Sequence, residues 1–93
     1  MKWKTEKRAN DILVKNKIEG EFIRDVRVSL LYYFSYSPES NVVFFPNSKR
    51  LIQFSRQWDG RVLIAIGDER NRLLISFIYS PKLQTLTHYL KRD

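Results

Sequence analysis

The segment Arg50–Ser80, RLIQFSRQWDGRVLIAIGDERNRLLISFIYS, has the pattern of three short β-strands joined by two tight turns. Each strand is rich in β-branched and aromatic residues, and polar turn residues bound it. The predicted strands are Arg50–Trp58, Arg61–Gly67 and Arg72–Ser80. The Asp59-Gly60 pair predicts a type I′ hairpin turn, because glycine readily adopts the positive φ that this turn needs. An antiparallel meander is therefore expected at the centre of the fold.

The middle strand of this meander is apolar on both sides. Val62, Ile64 and Ile66 alternate with Leu63 and Ala65. Strands that are buried on both faces have such continuous apolar runs. The pattern therefore predicts a central strand that is covered on both sides.

The flanking segments complete an α+β fold. Residues 4–17 have a partial apolar stripe at helical spacing, and residues 42–45 (VVFF) predict a short strand. Ser80-Pro81 predicts a helix start, with serine as N-cap and proline in the first turn, and the helix continues over Lys82–Leu90. The predicted fold is α+β: an N-terminal helix and a C-terminal helix packed on a four- to five-stranded antiparallel sheet, within one domain spanning residues 1–93.

Residues 21–36 fit two periods. As a helix, the segment places Phe22, Ile23, Val26, Leu30, Tyr33 and Phe34 on one face. As a strand, apolar residues occupy alternate positions from Val26 to Tyr36. Because the alternation is cleaner and the composition is β-branched and aromatic, a strand over residues 26–36 is favoured and the helix is the alternative.

The charge of the chain predicts a polyanionic partner. The 93 residues include 17 Lys and Arg against 10 Asp and Glu, which gives a net charge of +7. Such an excess on a small domain is typical of proteins that contact nucleic acid. RNA is favoured over DNA because basic residues, His88 and tyrosines suit RNA cleavage without a metal. The chain has no cysteine and no apolar run long enough to span a membrane, so a cytoplasmic location is expected. The thin core of so small a domain also allows a homodimer.

Basic and aromatic side chains are the candidates for chemistry. One histidine and no cysteine make a metal site improbable, and no cofactor motif is present, so metal-free RNA cleavage is the reaction considered. Arg56 lies on the first strand beside Phe54 and Trp58, a combination that suits phosphate binding and base stacking. His88 and Tyr89, on the predicted C-terminal helix, would transfer protons.

The back half of the chain resembles the small ribonuclease toxins of the BrnT type, which are related in architecture to the RelE and ParE toxins. The similarity rests on residues 50–56 (RLIQFSR), 59–63 (DGRVL) and 69–76 (ERNRLLIS), with Trp3, Lys7 and Asn10 near the start. It implies a helix, a twisted antiparallel sheet and a final helix. It also implies that Arg56 and Arg72 bind phosphate and stabilise charge, assisted by Lys49 and Arg50, and that an acidic antitoxin is the protein partner.

The leading hypothesis is a metal-independent endoribonuclease toxin. Its predicted catalytic residues are Arg56, Arg72, His88 and Tyr89. Its predicted nucleic-acid contacts are Lys4, Lys7, Arg8, Lys49, Arg50, Trp58 and Arg61. Two alternatives stay open: a non-enzymatic DNA- or RNA-binding regulator from a phage or mobile element, and a protein-interaction or inhibitor module.

Overall fold

The computed structural model describes residues 2–38 and 40–89, which form two helices and one five-stranded antiparallel sheet. The helices are α1 (Lys2–Lys15) and α2 (Ile23–Tyr36). The strands are β1 (Ser40–Phe45), β2 (Arg50–Arg56), β3 (Val62–Asp68), β4 (Leu73–Ser80) and β5 (Thr85–His88). No helix in this part of the chain is both long enough and apolar enough to cross a membrane.

The strands follow one another across the sheet in chain order, so the predicted meander and the α+β class are confirmed. The predicted type I′ turn is replaced by a three-residue loop. The N–H of Gln57 donates to the carbonyl of Arg61 at 2.7 Å, and the N–H of Gly60 donates to the carbonyl of Gln57 at 3.0 Å. Gly60 has φ +88°. This is a type I turn followed by a bulged glycine, in which only the glycine needs a positive φ.

The β3–β4 turn is built in the same way, with Asn71 (φ +62°) at the glycine's position. Asp68 holds this turn closed, since its Oδ1 accepts the backbone N–H groups of Arg70 and Arg72 at 2.9 Å each. The Arg72 guanidinium also donates to Asp68 Oδ2 at 2.8 Å. The pKa of Asp68 is lowered chiefly by the hydrogen bond from the Arg72 backbone N–H, with the Arg72 side chain adding to it against an opposing desolvation.

Asp68 is therefore expected to make the fold acid-sensitive. A lowered folded-state pKa stabilises the protein above the ordinary aspartate range, and this stabilisation is lost as the pH falls through the folded-state value. Urea unfolding from neutral to acid pH should show a decline in stability that is shallower in Asp68→Asn. Glu69→Gln, whose parent carboxylate accepts no hydrogen bond in the described structure, is the control. Equal slopes in the two variants would contradict this role for Asp68.

The prediction of a strand over residues 26–36 is wrong, and the helical alternative is confirmed. Val26, Leu30 and Tyr33 form the buried side of α2, as the helical period requires. Ser29, which the strand pattern places on the polar side, is fully buried. Its hydroxyl donates to the carbonyl of Asp25 one turn earlier at 2.7 Å, which satisfies it within the helix.

The predicted C-terminal helix is also wrong. Ser80 and Thr85 are paired across a hairpin, and β5 follows instead of a helix. Gln84 has φ +54°, a left-handed conformation that closes the loop and is incompatible with a continuing helix. Leu86, which pairs with Tyr79 on β4, is buried in strand alternation. The last residue of the predicted helix, Leu90, lies outside the described residues.

Both helices pack on the same face of the sheet, and the hydrophobic core lies between the helices and that face. Its strand residues include Ile52, Phe54, Val62, Ile64, Ile66, Phe77, Tyr79 and Leu86. On the opposite face of β3, Leu63 and Ala65 are only half-buried. The covering that the sequence predicts on both sides of β3 is therefore present on one side only within the described chain.

Candidate nucleic-acid interface

One side of α1 carries a row of exposed cations. They are Lys4, Lys7, Arg8 and Lys15. Separations of three, four and seven residues place them on one side of the helix, away from its buried side. They line a groove of about 260 Å³ whose other wall is Gln84 in the β4–β5 loop. Asp11 also lines this groove and pairs with Lys7 at 2.8 Å, so the row has a clear excess of positive charge.

Two arginines, Arg8 on α1 and Arg56 at the end of β2, contact neighbouring aromatic side chains of α2. The Arg8 guanidinium lies 4.0 Å from the centre of the Phe34 ring, a cation–π contact. Arg56 Nη2 donates to the Tyr33 hydroxyl at 3.4 Å. The rings of Tyr33 and Phe34 both pack edge-on against Tyr79. We call Lys4, Lys7, Arg8, Lys15 and Arg56 together the helix-face cluster.

The same aromatic group includes Tyr79, the most deeply buried of its tyrosines. The Tyr79 hydroxyl lies in the core, and no described residue offers it a hydrogen bond of good geometry. Burial raises the pKa of Tyr79, and the nearby positive charge of Arg8 opposes this shift. Tyr79 is therefore neutral at physiological pH and serves as a packing surface beneath the helix-face cluster.

Trp58 lies at the tip of the β2–β3 turn, two residues after Arg56. Trp58 is 97% exposed. The sequence predicts a strand that continues to Trp58 and places it on the same side as Phe54, but β2 ends at Arg56 and the turn directs Trp58 into solvent. Arg61 closes the same turn through an ion pair with Asp59 at 2.7 Å. A fully exposed indole beside a cluster of cations is suited to stacking on a nucleic-acid base.

A second group of cations lies at the opposite end of the sheet. The loop cluster consists of four cations in or directly beside the β1–β2 and β3–β4 connections, namely Lys49, Arg50, Arg70 and Arg72, which line a depression of about 460 Å³. Asp68 and Glu69 line the same depression. Arg72 pairs with Asp68 at 2.8 Å, and Arg50 pairs with Asp25 at 3.5 Å. Carboxylates therefore offset much of the positive charge of the loop cluster.

The four predicted catalytic residues lie in three different places. Arg56 is the last residue of β2, whereas Arg72 is paired with Asp68, which lies opposite Arg50 at the start of β2. At about 3.3 Å per residue, the length of β2 separates these ends by about 20 Å. His88 ends the edge strand β5, and Tyr89 follows it.

His88 faces the edge of the core. Its ring packs 4.9 Å from the centre of the Phe77 ring. It borders a groove of about 600 Å³ that the α1–α2 connection lines on the other side. Tyr89 continues the sheet, since its N–H donates to the carbonyl of Ser76 at 2.9 Å. Neither side chain is placed beside Arg56 or Arg72 in the strand pairing.

Two cations were missed from the sequence. Lys15 lies seven residues after Arg8, so helical spacing alone could have identified it as part of the row. Its Nζ donates to the carbonyl of Leu83 at 3.1 Å, which brings α1 against the β4–β5 loop. Arg70 belongs to the loop cluster, and its place beside Lys49 depends on the pairing of two hairpins.

No protein-family model matches the chain, and no solved structure is significantly similar to it. Among curated proteins, the chain is 32% identical over 76 residues to the ATP-dependent DNA helicase CHL1 of Yarrowia lipolytica. The matched region is 76% of this chain and 10% of the helicase, so the chain spans about a tenth of that protein. A match over so small a share of the helicase does not assign the chain to its family.

Proposed function

We propose that this protein is a non-enzymatic nucleic-acid-binding module that contacts phosphates through the helix-face cluster. The observation that carries the proposal is the arrangement of these cations on one side of the molecule, with Asp11 as the carboxylate lining their groove. Clustered Lys and Arg side chains bind nucleic acid by neutralising phosphates and releasing condensed counterions. Trp58, on the adjacent turn, would stack on an unpaired base.

Two further observations support the proposal. The net charge of +7 is typical of a protein that binds a polyanion. The similarity to a protein named as a DNA helicase points to the same class of partner. We propose a single-stranded stretch as the preferred form, because an indole stacks only on a base that is not already stacked in a duplex. The proposed location is the cytoplasm.

The ribonuclease alternative, with its antitoxin partner, stays a prediction. Acid–base cleavage needs proton-transfer groups within hydrogen-bond reach of the reacting atoms, together with cations that stabilise the developing charge. The structure holds Arg56, Arg72 and His88 at three separate places. A binding function needs no such convergence and is the better supported of the two.

Fluorescence anisotropy with labelled single-stranded RNA, single-stranded DNA and a duplex of the same sequence tests the proposal. The logarithm of affinity should fall linearly with the logarithm of salt concentration, with a slope of about −3 to −4 if the five cations each neutralise one phosphate of a single strand. A flat salt dependence would contradict phosphate binding. The same RNA, run on a denaturing gel after incubation without added metal, should stay intact. Cleavage that disappears in His88→Ala would favour the ribonuclease.

A further inference from the structure

The sheet face that the helices leave uncovered is largely apolar over strands β1 to β4, whereas β5 presents Thr85 and Thr87 to this side. Its apolar residues, which we call the open face, are Val42, Phe44, Leu51, Leu63, Ala65, Leu73 and Ile78. Val42 is 57% exposed, Leu73 54% and Phe44 46%. Among the described strand residues, none whose side chain points to this side is charged, although 29% of the whole chain is Asp, Glu, Lys or Arg.

Such a face is unusual for an exposed side of an antiparallel sheet. When one side packs on the core, the other is generally polar, and the residues alternate accordingly. Here β3 is apolar on both sides, which is typical of a strand whose two faces are both buried against other elements. Contiguous exposed apolar surface on a small protein marks an interaction site. The open face is therefore suited to contact another apolar surface.

The open face also has relief. A depression of about 200 Å³ lies towards its β3–β4 turn end, where Ala65 and Gly67 leave space between larger side chains. A register shift at Ile66 and Gly67 shapes it, and the backbone packs closely there, since a Cβ at Gly67 would lie 3.1 Å from the carbonyl oxygen of Arg72 and would displace it by a few tenths of an ångström. Val42, Leu51 and Leu73 border the depression, and the polar residues Gln53 and Asn71 line it as well. Exposed apolar side chains therefore lie next to a depression that can accept apolar side chains of another molecule.

We propose that a second copy of this chain packs on the open face, sheet against sheet, about a two-fold axis. A two-fold interface uses the same patch on both partners, so the exposed side chains of one copy meet the depression of the other. Two chains of net charge +7 repel each other, and a face without charges is where they can meet without bringing like charges together. Nucleic acid is a poor occupant, since the open face offers no cation to its phosphates.

The size of the open face fits such a pair. Five strands spaced about 4.8 Å apart, each about 20 Å long, give a face of about 500 Å² per copy. Both copies together bury about 1,000 Å², which is at the lower limit for a specific protein interface. The dimer is therefore expected to be weak and concentration-dependent. Since α1 and α2 lie on the other side of the sheet, both helix-face clusters would point outward.

Sedimentation equilibrium of the full chain over a wide range of concentrations tests this arrangement. The weight-average mass should rise from 11.2 kDa towards twice that value. Val42→Lys and Leu73→Lys each place a cation on the open face and should hold the chain at the monomer mass. Val14→Lys is the matched control, because Val14 is 78% exposed on α1, away from the open face, and its replacement should leave association unchanged.

Three results would overturn the proposal. The first is a wild-type chain that stays monomeric at every concentration. The second is association that persists in both open-face variants, or that is lost equally in Val14→Lys. The third is loss in Val42→Lys alone, since Val42 lies on the edge strand β1 and Leu73 does not, which would indicate pairing of strand edges. Circular dichroism of each variant confirms that the fold is intact.

Discussion

Replacing Lys7, Arg8 and Lys15 together with glutamine is expected to weaken binding of single-stranded RNA about a hundredfold near 0.1 M salt. Each cation that neutralises a phosphate of a single strand contributes about 0.7 to the slope of log affinity against log salt, so three of them contribute about 2.1. At about 0.1 M salt, that slope corresponds to about 0.7 logarithmic units of affinity per contact. The measurement is anisotropy of a labelled single strand at several salt concentrations.

A matched variant separates the position of these charges from their number. Arg24, Lys49 and Arg70 are exposed and lie at the opposite end of the molecule. Lys49 and Arg70 belong to the loop cluster, and Arg24 precedes Asp25, which pairs with Arg50 of that cluster. Replacing these three with glutamine lowers the net charge from +7 to +4, the same change as in the first variant. This control should lose only the small affinity that follows from weaker long-range attraction.

The fold of α1 should survive the first variant. Glutamine is a good helix former, and the Lys7–Asp11 pair is an exposed i,i+4 contact worth a few tenths of a kcal/mol. Loss of the Arg8–Phe34 contact costs about 1 kcal/mol more. Equal weakening in the control variant would show that total charge or the loop cluster carries the binding, and the helix-face cluster would lose its assigned role.

The meander could be predicted because its signals are local. Asp59-Gly60 and Asp68–Asn71 are turn sequences within single hairpins, and strand alternation needs only neighbouring residues. The turn at Gly60 is of another type than predicted, but the observed strand bounds differ from the predicted ones by only one or two residues. Hairpins are stabilised largely by contacts close in sequence, so their existence is readable from the chain alone.

The remaining elements depend on contacts that are distant in sequence. Residues 23–36 satisfy both periods, and the helix forms because Val26, Leu30 and Tyr33 cover a sheet that lies later in the chain. The Ser80-Pro81 pair has the composition of a helix start, but Leu86 is buried opposite Tyr79 and adds a fifth strand instead. Local propensity is overridden in both segments by the burial of apolar surface.

The candidate site shows the same division. The row on α1 follows from helical spacing, and the sequence predicts Lys4, Lys7 and Arg8 within it. The position of Arg56 near this row could not be predicted. It depends on the hydrogen bond from Arg56 to the Tyr33 hydroxyl, and therefore on α2 being a helix. Because the sequence predicts a strand over residues 26–36, the prediction lacks the helix whose aromatic side chains contact both Arg8 and Arg56.

Phe54→Ala is expected to destabilise the fold by about 3–5 kcal/mol, the usual cost of removing a buried aromatic ring. Phe54 is fully buried on β2, and its ring stacks on Tyr32 at 5.6 Å and Tyr33 at 6.4 Å between centres. The substitution leaves a cavity between the sheet and α2 at the place where they are joined. A domain of this size has about 5–15 kcal/mol of stability in total, so much of it would be lost. Urea unfolding monitored by circular dichroism gives the change.

Phe44→Ala is the control, since it removes the same ring from the open face. Phe44 is half-exposed, and at concentrations where the chain is monomeric the expected cost is well below that of Phe54→Ala. If a second copy covers the open face, the cost of Phe44→Ala should grow as protein concentration rises, because the lost contact then includes the interface. The cost of Phe54→Ala should not depend on concentration in this way, because its ring already lies within the core of one chain. Comparable losses for the two variants in dilute solution would contradict the division of the sheet into a covered face and an open face.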